Sequence, residues 1–242
     1  MKLHTETRGD GPRRVALVHG LGVRGAMWGS LADRIAATGA SVTTVDLRGH
    51  GASPRADHYT ADDMAADLVE TLPTGLDVVM GHSLGGAVLV RAAAALAPAR
   101  AVYLDPGFRI GLPTKGLAGK LFWAAPALSL GLATLASTPA RRKREAAYSP
   151  EDRALLAESR AGLEKRLAVD VFRDIAHHPF AAAPPAVPST VVLSADGSQV
   201  VPDALATELE GLGWEIRRVP TVHHEFWVED FDATWDAIQD RV

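Results

Sequence analysis

Short apolar runs alternate with helix-spaced patterns along most of the chain. Val15-Ala16-Leu17-Val18 reads as a strand, and Trp28, Leu31, Ile35 and Ala36 then recur at helical spacing. Val42 to Leu47 is strand-like. Thr60 to Leu72 is helical, and Thr60 with Asp63 three residues later forms a capping signal. Asp77 to Met80 reads as a strand, Leu84 to Leu96 as an apolar helix and Ala101 to Leu104 as a strand. The alternation resumes with a strand at Thr190 to Leu193, a helix at Asp203 to Leu212, a strand at Trp214 to Val219 and a helix at Phe231 to Ile238. Continuous apolar strands separated by helices predict a mostly parallel, doubly wound α/β sheet covered on both faces. Ligands in such sheets sit at the carboxyl ends of the strands, so the residues that close each strand carry the candidate chemistry.

The stretch 107–188 is far longer than an ordinary strand-to-helix connection. It holds helical patterns such as Pro150 to Ala168, with Leu155, Leu156, Leu163 and Leu167, and it ends in a stiff connector from Pro179 to Pro188. The expected organisation is a core of residues 1–106 and 189–242 with a helical lid at 107–188. Within it Leu121 to Ala140 carries no charge, and Arg141-Arg142-Lys143-Arg144 follows. That run has the length of a membrane span. It is rich in Ala, Ser, Thr, Gly and Pro, however, and strand patterns on both sides belong to one sheet. It is therefore read as a buried or cleft-facing helix, and no membrane partner is expected.

Composition narrows the classes. Hydrophobic residues make up 47% and charged residues 22%, which excludes disorder as the main state. A net charge of −4 with mixed signs gives no nucleic-acid footprint. Cysteine is absent, so disulfides, thiol nucleophiles and thiolate metal sites are excluded. Met1 to Arg8 has no apolar stretch of signal length, and a cytoplasmic location is expected. Oligomeric state leaves no mark in the sequence.

Gly81-His82-Ser83-Leu84-Gly85-Gly86 lies directly between a strand and a helix. The G-x-S-x-G spacing suits a sharp turn that lifts one serine above the sheet, with glycines where backbones pass closely. The helix that follows points its first amides, Leu84 N–H above all, at the serine. With His19-Gly20-Leu21-Gly22 after the first long strand and Asp46-Leu47-Arg48-Gly49-His50-Gly51-Ala52-Ser53 after the next, the chain resembles the α/β-hydrolases of the serine branch. The resemblance implies about seven strands and a helical lid, a Ser83 nucleophile, and Leu21 and Leu84 amides as an oxyanion hole. It also implies a base on the loop after the last strand, where register selects His224 over His223.

The acid departs from the common pattern. In Ser194-Ala195-Asp196-Gly197-Ser198-Gln199-Val200-Val201-Pro202, Gly197 or Ser198 takes its usual place and Asp196 misses both registers. Another branch of the family carries the acid one strand earlier, where Asp105 precedes Pro106. Asp105 is preferred, with Asp196 as the alternate. Acyl hydrolysis of an apolar or aromatic ester or lactone is expected, with no metal or organic cofactor. Met27, Trp28, His82, Phe122, Trp123 and Leu128 are the expected pocket residues. Carbon–carbon bond hydrolysis and cyanohydrin cleavage remain open on the same triad. Gly20-Leu21-Gly22-Val23-Arg24-Gly25 with Asp46 also fits a dinucleotide fingerprint. The scaffold can serve as a non-catalytic ligand receptor as well.

Overall fold

Alternation of buried side chains along the inner strands supplies two cores, one on each face of a single sheet. Ala16, Val18, Val45, Val79, Ala101, Tyr103, Val191 and Leu193 face one side, while Val15, Leu17, Val42, Met80, Val102, Leu104 and Val192 face the other. A computed structural model describes residues 1–198 and 200–242, and side chains at all of these except 136–138, 140 and 165. Its strands are β1 (Thr5–Arg8), β2 (Arg13–Val18), β3 (Ala40–Val45), β4 (Val78–His82), β5 (Arg100–Leu104), β6 (Ser189–Ser194) and β7 (Glu215–Val219). Their order is β1-β3-β2-β4-β5-β6-β7, parallel throughout except for β1. The order reverses at β2, which pairs with both β3 and β4. The crevice at such a reversal lies over the carboxyl ends of these strands.

Helices α2 (Ala61–Thr71) and α3 (Leu84–Leu96) contribute to the first core, as does α8 (Asp203–Gly211). The second is closed by α1 (Gly29–Ala36), a short 3-10 turn at Gly25–Trp28, α9 (Phe226–Glu229) and α10 (Phe231–Ile238). Thr60 caps α2 as its spacing predicts, its hydroxyl accepting the Asp63 N–H at 3.1 Å.

Between β5 and β6 the chain forms α4 (Gly116–Ala124), α5 (Pro126–Glu145), α6 (Pro150–Ala161) and α7 (Lys165–His177). The uncharged run is therefore two helices. Ala125 has φ −138° and ψ 64°, Pro126 opens α5, and the two axes bend by 96°. A residue before proline is pushed out of the helical region, which accounts for the break. Four of its leucines, Leu121, Leu128, Leu132 and Leu135, are each 59–68% exposed, which corrects the buried reading, while Leu128, Leu132 and Leu135 line a groove between α5 and α7. The long pattern from Pro150 likewise divides, with Gly162 to Glu164 separating α6 from α7. Among the described residues no single helix is long and apolar enough to cross a membrane.

Candidate active site

Ser83 occupies the turn between β4 and α3 with φ 50° and ψ −116°, a conformation that side chains ordinarily avoid. Close packing makes the turn possible. A Cβ at Gly85 would strike the Val18 carbonyl oxygen, and one at Gly86 would lie 2.5 Å from the Pro106 Cβ. Hydrogen bonds lock the turn to β5: Ser83 N–H donates to Leu104 O at 3.0 Å, and Gly107 N–H donates to Ser83 O at 2.7 Å. Leu84 begins α3, so its N–H belongs to the helix's unpaired first turn and carries the positive end of the dipole.

His224 meets this serine from the loop after β7. Its Nε2 lies 3.0 Å from Ser83 Oγ, and its Nδ1 lies 2.6 Å from Asp105 Oδ2. Asp105 closes β5 with a side chain only 3% exposed and a positive φ of 39°, so burial and backbone geometry both hold the carboxylate under the imidazole. Burial depresses the His224 pKa. The Asp105 hydrogen bond and the charges of Glu225, Asp105 and Glu229 outweigh it and raise the pKa to about 8.

The alternate acid stands elsewhere. Asp196 is exposed in the turn after β6, and its side chain makes no hydrogen bond among the described residues. Ser198 is committed to closing that turn, accepting Val200 N–H at 3.1 Å and Val201 N–H at 2.8 Å. His223 turns outward, with Nδ1 3.0 Å from Glu229 Oε2.

Two further groups hold the histidine loop. Glu229, whose side chain is 7% exposed, accepts the N–H groups of His223, His224 and Glu225 at 2.7, 3.2 and 3.0 Å. Burial alone would raise its pKa, and these donors override it to leave the carboxyl below its usual range. His82 donates Nε2–H to the His224 carbonyl at 2.8 Å. Burial, then the neighbouring His224, lowers the His82 pKa to about 3, so it is a neutral donor. Its Nδ1 is buried without a partner among the described residues and faces the Gly20 backbone.

The loop after β2 passes over the elbow, where a Cβ on Gly20 would come within 3.1 Å of the Ser83 Cβ. Two buried histidines shape this loop. His19 Nε2 accepts Leu47 N–H at 3.0 Å, and His50 Nε2 accepts Gly22 N–H at 3.2 Å. Their Nδ1 atoms face the carbonyls of Gly20 and Arg48, which fixes the tautomer with the proton on Nδ1. Asp46 gives one oxygen to Gly25 N–H at 2.6 Å and the other to Ala52 N–H at 2.8 Å. Both oxygens are thus spent on the loops, and Asp46 does not face an open ribose site. Leu21 N–H makes no hydrogen bond among the described residues, and Leu21 lines the cavity with Ser83 and Leu84.

That cavity has a volume of about 500 Å³. Ile110 and Leu112 after β5, Val171, Phe172 and Ile175 of α7, and Val200 form most of its wall, with Glu225 beside His224. The expected pocket residues are not among those lining it. Met27 and Trp28 lie behind the elbow: Gly25 is pinned by Asp46, which sends the next turn across the sheet, and Trp28 stacks on Trp227 at 4.0 Å. Met27 O accepts Trp227 Nε1–H at 2.9 Å. His82 points the same way, edge-on to Trp28 and Trp227. Trp123 donates to Pro113 O and packs on His177 and Phe122, while Leu128 borders a separate groove between α5 and α7. The i, i+4 pair Val171 and Ile175 was the available signal for the true wall. Among the described residues no cluster of three or more His, Cys, Asp or Glu is placed to hold a metal.

The profile of the alpha/beta hydrolase family matches residues 15–237, and the chain belongs to that family. Lipase LipV of Mycobacterium tuberculosis is 39% identical over 110 residues, 43% of this chain and 41% of that one. The pimeloyl-[acyl-carrier protein] methyl ester esterase of Chromobacterium violaceum is 42% identical over 88 residues, 36% of this chain and 34% of that one. The chain thus matches well under half the length of these curated relatives. The crystal structure of an enol-lactonase from Burkholderia xenovorans superposes with a TM-score of 0.76 at 21% identity, covering 98% of this chain and 95% of that one. At that identity the likeness is one of fold.

Proposed function

We propose that the protein is a serine hydrolase acting on small apolar esters or lactones through an acyl-enzyme. The observation that carries this reading is the line from Ser83 Oγ through His224 Nε2 at 3.0 Å to Asp105 Oδ2 at 2.6 Å from Nδ1, under a largely apolar cavity. Ser83 Oγ attacks the carbonyl carbon while His224 Nε2 takes the hydroxyl proton, and Asp105 stabilises the resulting imidazolium. Leu21 and Leu84 N–H groups receive the developing oxyanion. His224 returns the proton to the leaving alcohol, the carbon–oxygen bond breaks, and a water activated by the same imidazole releases the acid. No step calls for a metal or organic cofactor.

Residues 107–188 act as the lid, since α7 supplies Val171, Phe172 and Ile175 to the cavity wall. An apolar acyl or alcohol group fits these side chains, and the relatives, a lipase and methyl ester esterases, agree with that class. A fluorophosphonate probe tests the reading. Rapid labelling of the wild type with none in Ser83→Ala is expected. Equal labelling of both, or none of either, overturns it.

A further inference from the structure

The inserted helices carry a surface that the hydrolytic site does not use. Five of the six exposed large hydrophobic side chains in the described chain lie on α4 and α5: Leu117, Leu121, Leu128, Leu132 and Leu135, each 59–71% exposed. Their spacing places Leu117 with Leu121 on one face of α4, and Leu128, Leu132 and Leu135 on one face of α5. Single exposed leucines are ordinary, but a cluster of this density marks a contact surface.

Charge identifies what it contacts. No Asp or Glu occurs between Asp105 and Glu145, and seven basic residues do: Arg109, Lys115, Lys120, Arg141, Arg142, Lys143 and Arg144. In a chain of net −4, that +7 stretch leaves −11 on the remaining residues. Lys115, Lys120, Arg142 and Lys143 are exposed, and none of them forms an ion pair among the described residues. Leucines in the same helices as unpaired cations are the pattern of a helix that lies in the headgroup layer of an anionic bilayer. No single described helix is long and apolar enough to span a membrane, and the 96° bend between α4 and α5 suits a surface-lying pair.

An apolar groove lies beside this surface. α5 and α7 enclose an apolar groove of about 670 Å³, lined by Leu128, Leu132, Leu135, Val169 and Phe172. Phe172 also lines the cavity over Ser83, so it borders both groove and cavity.

We propose that α4 and α5 dock this protein on the surface of anionic phospholipid bilayers, with the α5–α7 groove and Phe172 leading from the lipid to the serine site. The docking is independent of the hydrolytic reading, because Ser83→Ala protein should bind equally well.

Vesicle co-sedimentation at low salt tests it, using phosphatidylglycerol/phosphatidylcholine mixtures against phosphatidylcholine alone. Full-length Ser83→Ala protein is expected to sediment with the anionic vesicles and not with the zwitterionic ones. Raised salt should release it. Arg142→Glu/Lys143→Glu should weaken binding by about tenfold or more, with turnover of a short soluble ester unchanged. Leu121→Ser/Leu132→Ser should weaken it similarly, with an unchanged thermal midpoint reporting an intact fold. No sedimentation with either vesicle, equal sedimentation with both, or binding unaffected by these variants overturns the proposal. So does light scattering that finds a dimer dissociated by the leucine substitutions, or capture by an acidic protein with no vesicle binding.

Discussion

Ser83, Asp105 and the strands that carry them are surrounded by side chains with almost no exposure, while the helices inserted after β5 turn five leucines toward solvent. The two regions also differ in how residues are fixed. Around the elbow nearly every position answers to several partners: Gly20, Gly81, Gly85 and Gly86 sit against backbone or side chains that leave little or no room for a Cβ, and His19, His50 and Asp46 spend their polar atoms on loop amides. Among the described residues of α4 and α5 no large apolar side chain is fully buried. The lesson is a division of labour. On the proposed reading, chemistry and its cavity wall sit where packing over-determines geometry, and the proposed surface contact sits where packing leaves side chains exposed.

Substitutions at matched positions in the two regions test that division. The largest effect is expected at the elbow: Ser83→Ala should lower kcat by about six orders of magnitude, measured by ester turnover. Next, Asp105→Asn should cost on the order of 10⁴ in kcat, while Asp196→Asn stays within about twofold of wild type. The reverse ranking would move the acid to the exposed turn and break the link between burial and chemistry.

Stability should divide in the same way. Leu89→Ala, at a fully buried site of α3, should cost about 2–5 kcal/mol in denaturant melts. Leu132→Ala on α5 should stay within about 0.5 kcal/mol. Phe172→Ala sharpens the comparison further. It should change KM for bulky esters by about tenfold with kcat nearly unchanged, because the side chain bounds the cavity without touching the reacting atoms.

The smallest expected effect concerns pH. His224 titrates near 8, above its ordinary 6.5, so the imidazolium that cannot accept the serine proton prevails below that midpoint. kcat/KM should therefore rise with pH through about 8. Asp105→Asn should move the imidazole titration downward by NMR, since the Asp105 hydrogen bond is a raising influence. The raised value also means that the folded chain holds this proton more tightly than the unfolded one. The contribution to stability is then full below about pH 6.5 and lost as pH rises through about 8.

Much of this was legible along the chain. The β4 strand, the turn at Ser83 and the apolar α3 follow from an apolar run, a glycine pattern and helical spacing, all of them local properties. A mostly parallel sheet followed from continuous apolar strands separated by helices, whereas the strand order and the antiparallel β1 came only from the structure. The pocket residues were misassigned for a physical reason. Met27, Trp28, Phe122 and Trp123 are large apolar side chains near the right loops, and size does not reveal which way a loop turns. Gly25 N–H on Asp46 and Trp227 on Trp28 decide that, through contacts across 21 and about 200 positions of sequence.

The sequence by itself determined the alternation of strands and helices, the strained serine turn, and the set of polar residues available at the strand ends, because each depends on neighbours a few positions apart. Tertiary structure alone decided that Asp105 rather than Asp196 meets His224 across 119 positions, that His82 and Glu229 brace the histidine loop, and that the uncharged run lies bent and exposed. Those outcomes depend on which strand ends become neighbours and on how the inserted helices settle over them, and no local pattern encodes a distance between segments so far apart.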